Sequence, residues 1–236
     1  MKSLSYILIS IFFVAIIVKA QDDYNIVRVE LGYGSYNMSD LEDVQNYIIE
    51  IYSQYQIPVA SVDNFPPFWN FQIQYARKLN ESFSLSGFFG FASTGGRVHY
   101  SDYSGEIESD QVVSANFYGA GGEYIFNPIE PFKYFISFQA SIIFSSLELN
   151  DMIRIYNETT NSTTKLNSTG VGIEPSVGLE FNLMSVLFRF EAGLFLNFQG
   201  AFYFEEDPDV EFELEGKEIS PNWMGYRIGF SIGYGF

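Results

Sequence analysis

Residues 224–236 read MGYRIGFSIGYGF, and this stretch decides the fold. Met224, Tyr226, Ile228, Phe230, Ile232, Tyr234 and Phe236 are large and apolar, while Gly225, Arg227, Gly229, Ser231, Gly233 and Gly235 between them are small or polar. A period of two marks a strand with two unlike faces. In a soluble sandwich the bulky face would turn into a core. In a membrane barrel it turns outward to lipid, and the small and polar face fills the lumen. Composition chooses the second: 25 Phe and 17 Tyr, with 20 glycines, suit a lipid-facing sheet belted by aromatic rings.

The alternation recurs upstream. Val27, Val29, Leu31 and Tyr33 form one outward set, and Trp69, Phe71, Ile73 and Tyr75 a second. Five more begin near Phe83, Tyr118, Phe132, Val171 and Val186. With the last stretch they make eight strands. The links between them alternate in length. Those at 79–82, 127–131 and 183–185 are short, and those at 37–66, 100–110, 150–168 and 205–218 are long and polar. Short turns at the periplasmic end and long loops outside are the habit of outer-membrane barrels. The expectation is an all-β, eight-stranded, antiparallel, up-and-down transmembrane β-barrel over 21–236, with both termini in the periplasm.

Residues 1–20 read as a secretory signal peptide. Lys2 is the positive start, Leu4 begins an apolar run ending at Val18, and cleavage is expected after Ala20. The run is shorter than the roughly 20 residues of a spanning helix. A second break in the period falls at 39–56. Leu41, Val44, Ile48, Ile51, Tyr52 and Tyr55 follow helical spacing, with Ser39 and Glu42 placed as a capping box. This predicts a short helix in the first outer loop, over the barrel mouth or against the lipid interface.

Charge and cysteine content exclude several function classes. A net charge of −17 with no basic patch argues against nucleic acid. The absence of cysteine removes disulfides, thiolate zinc sites and thiol nucleophiles. No cofactor is expected.

The candidate site lies in the lumen. Arg28, Glu30, Glu123, Glu174, Glu180, Arg189, Glu191 and Arg227 fall on the small or polar face. On the lipid face each charge would cost about 2–4 kcal/mol at the midplane, so the eight are expected to turn inward and pair as a plug. A two-residue turn at 184–185 would set Glu180 opposite Arg189, with Cβ atoms about 5 Å apart. Paired carboxylates for acid–base chemistry are the competing reading, and the surplus of acids would suit a cation. His99, the one histidine, is expected at the outer rim without a partner, because Ser101 and Asp102 are near it only in sequence. Glycines at 32, 34, 119, 121 and 122 lie inside strands and open no helix, so they are not a phosphate cradle. The acidic last loop, from Glu205 to Glu218, lacks the order of an EF-hand and reads as a solvated extension, with bridging by divalent ions an open alternative. Asn157, Asn161 and Asn167 begin Asn-x-Ser/Thr triplets, read here as part of a hydrophilic loop.

Together the signal segment, the eight alternating strands, the loop asymmetry and the final Tyr234-Gly235-Phe236 resemble the small eight-stranded outer-membrane barrels, OmpX-like and OmpW-like, of the outer membrane protein β-barrel domain group. The resemblance implies the outer membrane of a Gram-negative bacterium, a monomer held among outer-membrane lipids, and Phe236 as the aromatic signal read by the barrel-assembly machinery. None of these features is specific to one function; the polar, charge-filled lumen leads to the expectation of a non-enzymatic role, structural or in surface interaction through the outer loops. A narrow channel for small or hydrophobic solutes, OmpW-like, and a lipid-modifying enzyme are the alternatives. The helical first loop departs from the simplest OmpX-like pattern.

Overall fold

The computed structural model describes residues 25–156, 158–183 and 185–236. Residues 1–24, with the expected signal peptide, and Asn157 and Met184 lie outside the described residues. The elements in chain order are β1 (Asn25–Gly34), α1 (Ser39–Gln54), β2 (Ala60–Asn64), β3 (Phe68–Lys78), β4 (Phe83–Ser101), β5 (Gly105–Ile125), β6 (Phe132–Ile155), β7 (Glu158–Leu183), β8 (Val186–Gln199), β9 (Tyr203–Phe204), β10 (Glu213–Leu214), β11 (Lys217–Glu218) and β12 (Gly225–Gly235). Strands β1, β3, β4, β5, β6, β7, β8 and β12 pair antiparallel with their neighbours in that order. Pairing of β1 with β12, from Ile26–Gly235 to Gly34–Arg227, closes the ring. The chain is an eight-stranded up-and-down barrel.

The wall is apolar on its outside. Val27, Val29 and Leu31 on β1, Phe71 and Ile73 on β3, Tyr134, Ile136 and Phe138 on β6, and Ile228, Phe230 and Ile232 on β12 are all exposed. Rings crowd both margins of this band. Tyr33 and Trp69 meet edge to face at the margin nearer the long hairpins, with centroids 5.5 Å apart, and Tyr234 stacks with Phe236 at the opposite margin. Aqueous solvent would make such a surface a large aggregation liability. Against lipid it is the ordinary exterior of a spanning barrel. Strands β1, β3 and β12 have 10 or 11 residues, as a tilted strand needs to cross a bilayer.

Two outer links differ from the loops expected at 100–110 and 150–168. Strands β4 to β7 have 19, 21, 24 and 26 residues, and their pairing runs out to Ser101–Glu106 and Ile155–Glu158. Both links are therefore tight turns at the tips of hairpins, and the extra length carries the sheet roughly 30 Å beyond the apolar band. Thr159, Thr160, Thr163 and Thr164 explain why a polar stretch forms strand, since β-branched side chains fit a pleated surface. In the first outer link, β2 joins this extension by pairing with β4. The projecting parts of β2, β4, β5, β6 and β7 form one blade.

The first helix also begins differently. Its N-cap position is Met38, without a side-chain cap bond, so the Ser39–Glu42 capping box does not form. Met38 and Leu41 are instead fully buried at the barrel mouth, and their burial places the first turn. Backbone N–H groups of Leu41 and Glu42 donate to the Met38 carbonyl.

Candidate functional site

The lumen is filled in two tiers. The lower one is electrostatic. Arg28 on β1, Glu123 on β5, Glu180 on β7 and Arg189 on β8 project from four strands into one buried cluster. Arg189 lies 2.6 Å from the Glu123 carboxylate, and Arg28 reaches Glu123 at 3.3 Å and Glu180 at 3.4 Å. Arg28 also donates to Gln74 Oε1 at 3.0 Å. Glu180 and Arg189 are cross-strand partners, yet their charged ends are 3.9 Å apart. The shorter bond of Arg189 crosses the lumen to Glu123, so the acid most dependent on it is Glu123 rather than its ladder neighbour. Phe135 supports the guanidinium, whose carbon lies 3.6 Å from the ring centroid. The ring in turn occupies the space that any side chain at 178 would need, which accounts for Gly178.

Lys133 belongs to this cluster too, buried and 3.6 Å from Glu180. The alternation of Phe132 and Tyr134 around it is the sequence signal that marks it as inward-facing. Higher in the lumen Arg227 pairs with Glu174 at 3.0 Å, and its guanidinium lies over the rings of Phe195 and Phe117. Glu30 and Glu191 flank Gly229, where a Cβ would meet the Glu30 carboxylate and the stem of Glu191.

The upper tier is apolar, where a polar filling was expected throughout. Phe117, Ile143, Leu147, Leu166, Phe195 and Trp223 are buried inside the wall. Met38, which caps α1, and Leu41 and Val44 within it, together with Phe65, Phe202 and Ile219, close over them. The Trp223 indole N–H donates to Ser145 Oγ at 2.9 Å, which satisfies the polar end of an otherwise buried ring. The helix thus lies across the mouth, not against the lipid interface. Lys217, on the β10–β11 hairpin, clasps it through Asp40 and Asp43, each at 2.9 Å. Hydrogen bonds to Asp43 and Asp40 hold the Lys217 ammonium well above its ordinary range. The last loop is accordingly not a free extension: its Phe202 and Ile219 are core, while its acids remain outside.

On the lipid side of β4 and β5, beyond the apolar band, the blade carries charge. Arg97 binds Asp110 through two hydrogen bonds of 2.5 and 2.6 Å. His99 is not without a partner. It stands directly opposite Glu108, and its Nε2 lies 3.1 Å from Glu106 Oε1. That hydrogen bond, with Arg154 on the other carboxylate oxygen, pulls the Glu106 carboxyl below its usual range. Asp102 instead accepts from Tyr100 and Ser104, so hydroxyl, imidazole and carboxylate do not converge as a hydrolytic triad requires.

No protein-family model and no curated protein matches the chain. Solved structures similar in fold include Ail, the attachment invasion locus protein of Yersinia pestis, at 9% identity and a TM-score of 0.40, the alignment covering 92% of this chain and 100% of that one. Neisserial surface protein A gives 10% identity and 0.42, over 90% of this chain and 96% of its own. OprG from Pseudomonas aeruginosa gives 9% and 0.42, over 92% and 97%. The barrel assignment itself rests on the closed ring and its apolar exterior.

Proposed function

We propose that the chain is a non-enzymatic outer-membrane barrel that acts at the cell surface through its blade. The observation carrying this reading is the continuation of β4 to β7 far past the apolar band as ordered hairpins. A barrel needed only to cross the membrane has no use for that length. Between Glu158 and Thr164 the outer edge of β7 extends beyond the ladders with β8 and β9, which begin at Gly170 and Leu166, and an open strand edge is a ready template for another chain. Most of the protein's 29 acidic residues lie at this outer end, against Arg97, Arg154, Lys165 and Lys217 among the described residues. The surface therefore suits cationic partners and repels anionic ones. Export by a signal peptide cleaved after Ala20, residence as a monomer among outer-membrane lipids of a Gram-negative bacterium, and insertion by the barrel-assembly machinery belong to the same reading.

The test is a trimmed barrel in which 96–110 and 149–164 are each replaced by a two-residue turn. Cells displaying it should lose the surface attachment conferred by the full chain while keeping their resistance to detergents. Unchanged attachment combined with a leaky envelope would assign the barrel a structural role instead. For assembly, deletion of Phe236, whose backbone N–H and carbonyl both bond with Asn25 at the ring seam, is expected to lower the outer-membrane yield several-fold and to raise periplasmic degradation. Immunoblots of fractionated membranes read this out, and an undiminished heat-modifiable band would count against it.

A further inference from the structure

One cluster on the blade is independent of the lumen and of the surface reading above. One ring nitrogen of His99 and one carboxylate oxygen each from Glu106 and Glu108 all lie within 4.8 Å of one another. Two rigid strands hold them: His99 is the ladder partner of Glu108, and Glu106, opposite Ser101, is its diagonal neighbour. The three side chains are only partly covered, with relative exposures of 33% for His99, 17% for Glu106 and 26% for Glu108. Donor atoms therefore converge on a point that keeps open positions toward solvent.

We propose that His99, Glu106 and Glu108 form a binding site for a first-row transition dication of the Zn2+ type. An imidazole nitrogen beside two carboxylates suits such ions, whereas Ca2+ and Mg2+ prefer all-oxygen sets. The charged neighbours act as an outer shell. Arg154 binds the Glu106 oxygen that does not face His99, so metal would take the place of the hydrogen bond between His99 and Oε1, the imidazole proton passing to solvent. Arg97 spends its two hydrogen bonds on Asp110 and stands 3.7 Å from Glu108. The three acids Glu106, Glu108 and Asp110 outnumber the two guanidiniums, so a dication is electrostatically admissible, and the arginines set its affinity below that of a bare carboxylate site. Such second-sphere partners orient ligands in metal sites generally.

The chain itself makes the test clean, because it has one histidine and no cysteine. Untagged protein of residues 21–236, folded in detergent and freed of metal, is titrated with ZnCl2 while the single imidazole is followed by NMR. The expected result is a saturating shift of that one imidazole at a stoichiometry of one, unaffected by excess Ca2+. In a zinc-dye competition assay, His99→Gln and Glu108→Gln should each weaken binding by at least about tenfold, the low end of what even an outer-shell loss costs. Glu211→Gln, in the acidic last loop, should leave it unchanged. An imidazole that does not respond to Zn2+ overturns the proposal. So does zinc binding that survives His99→Gln, which would transfer the ion to the acidic loop.

Discussion

Glu123→Ala is expected to destabilise the folded barrel by about 3–5 kcal/mol, the cost of leaving buried charge uncompensated. Glu123 makes the shorter contacts to the two arginines of this cluster, Arg189 at 2.6 Å and Arg28 at 3.3 Å, against 3.9 and 3.4 Å for Glu180. Without it Arg28, Arg189 and Lys133 crowd around Glu180, three buried cations to one anion. Arg189→Ala is the informative contrast. It leaves Arg28 and Lys133 facing Glu123 and Glu180, an even balance, so its loss should be smaller although it removes a larger side chain. Glu123→Gln keeps the volume and one acceptor, and should fall between the two. Equilibrium urea unfolding of detergent-folded protein, followed by tryptophan fluorescence and by gel mobility, ranks the three variants. If Arg189→Ala proves worse than Glu123→Ala, packing of the guanidinium on Phe135, and not charge balance, governs this tier.

What the sequence made legible was whatever period two controls. Lipid on one side and a narrow lumen on the other impose opposite chemistry on neighbouring residues, so residues 224–236 alone reveal the wall, and Lys133 is recoverable by the same rule. The blade was harder. Above the membrane both faces are wet, the polarity contrast fades, and Thr159 to Thr164 resemble a loop although the strand continues. The upper tier was hidden for another reason. Phe117 and Phe195 turn inward beneath partners that arrive from distant segments, Leu41 on the helix and Trp223 just before β12, and no local spacing announces that meeting. His99 looked alone because Glu106 and Glu108 become its neighbours only when the hairpin between them is known to be tight.

The second large effect concerns ion flow. Wild-type protein in a planar bilayer is expected to give no steady conductance. Eight strands enclose an interior that side chains can just fill, and here two different fillings lie in series. An ion entering from outside meets α1 and the apolar tier, with Trp223 fully buried. There it would shed its hydration without compensation, at a cost of tens of kcal/mol for an isolated charge in an apolar medium. An ion entering from the opposite end, where β1 begins and β12 ends, meets guanidiniums and carboxylates already paired across the lumen. Either tier alone suffices as a barrier. Trp223→Ala should therefore remain non-conducting while costing about 3–5 kcal/mol in stability, as buried Trp truncations do, so stability and closure come apart in a single variant. A stable, ohmic, cation-selective current through the wild type would reverse the argument. Glu30 and Glu191, which face each other across Gly229, would then be the lining of a conduit, and the paired charges below them its selectivity element, not its plug.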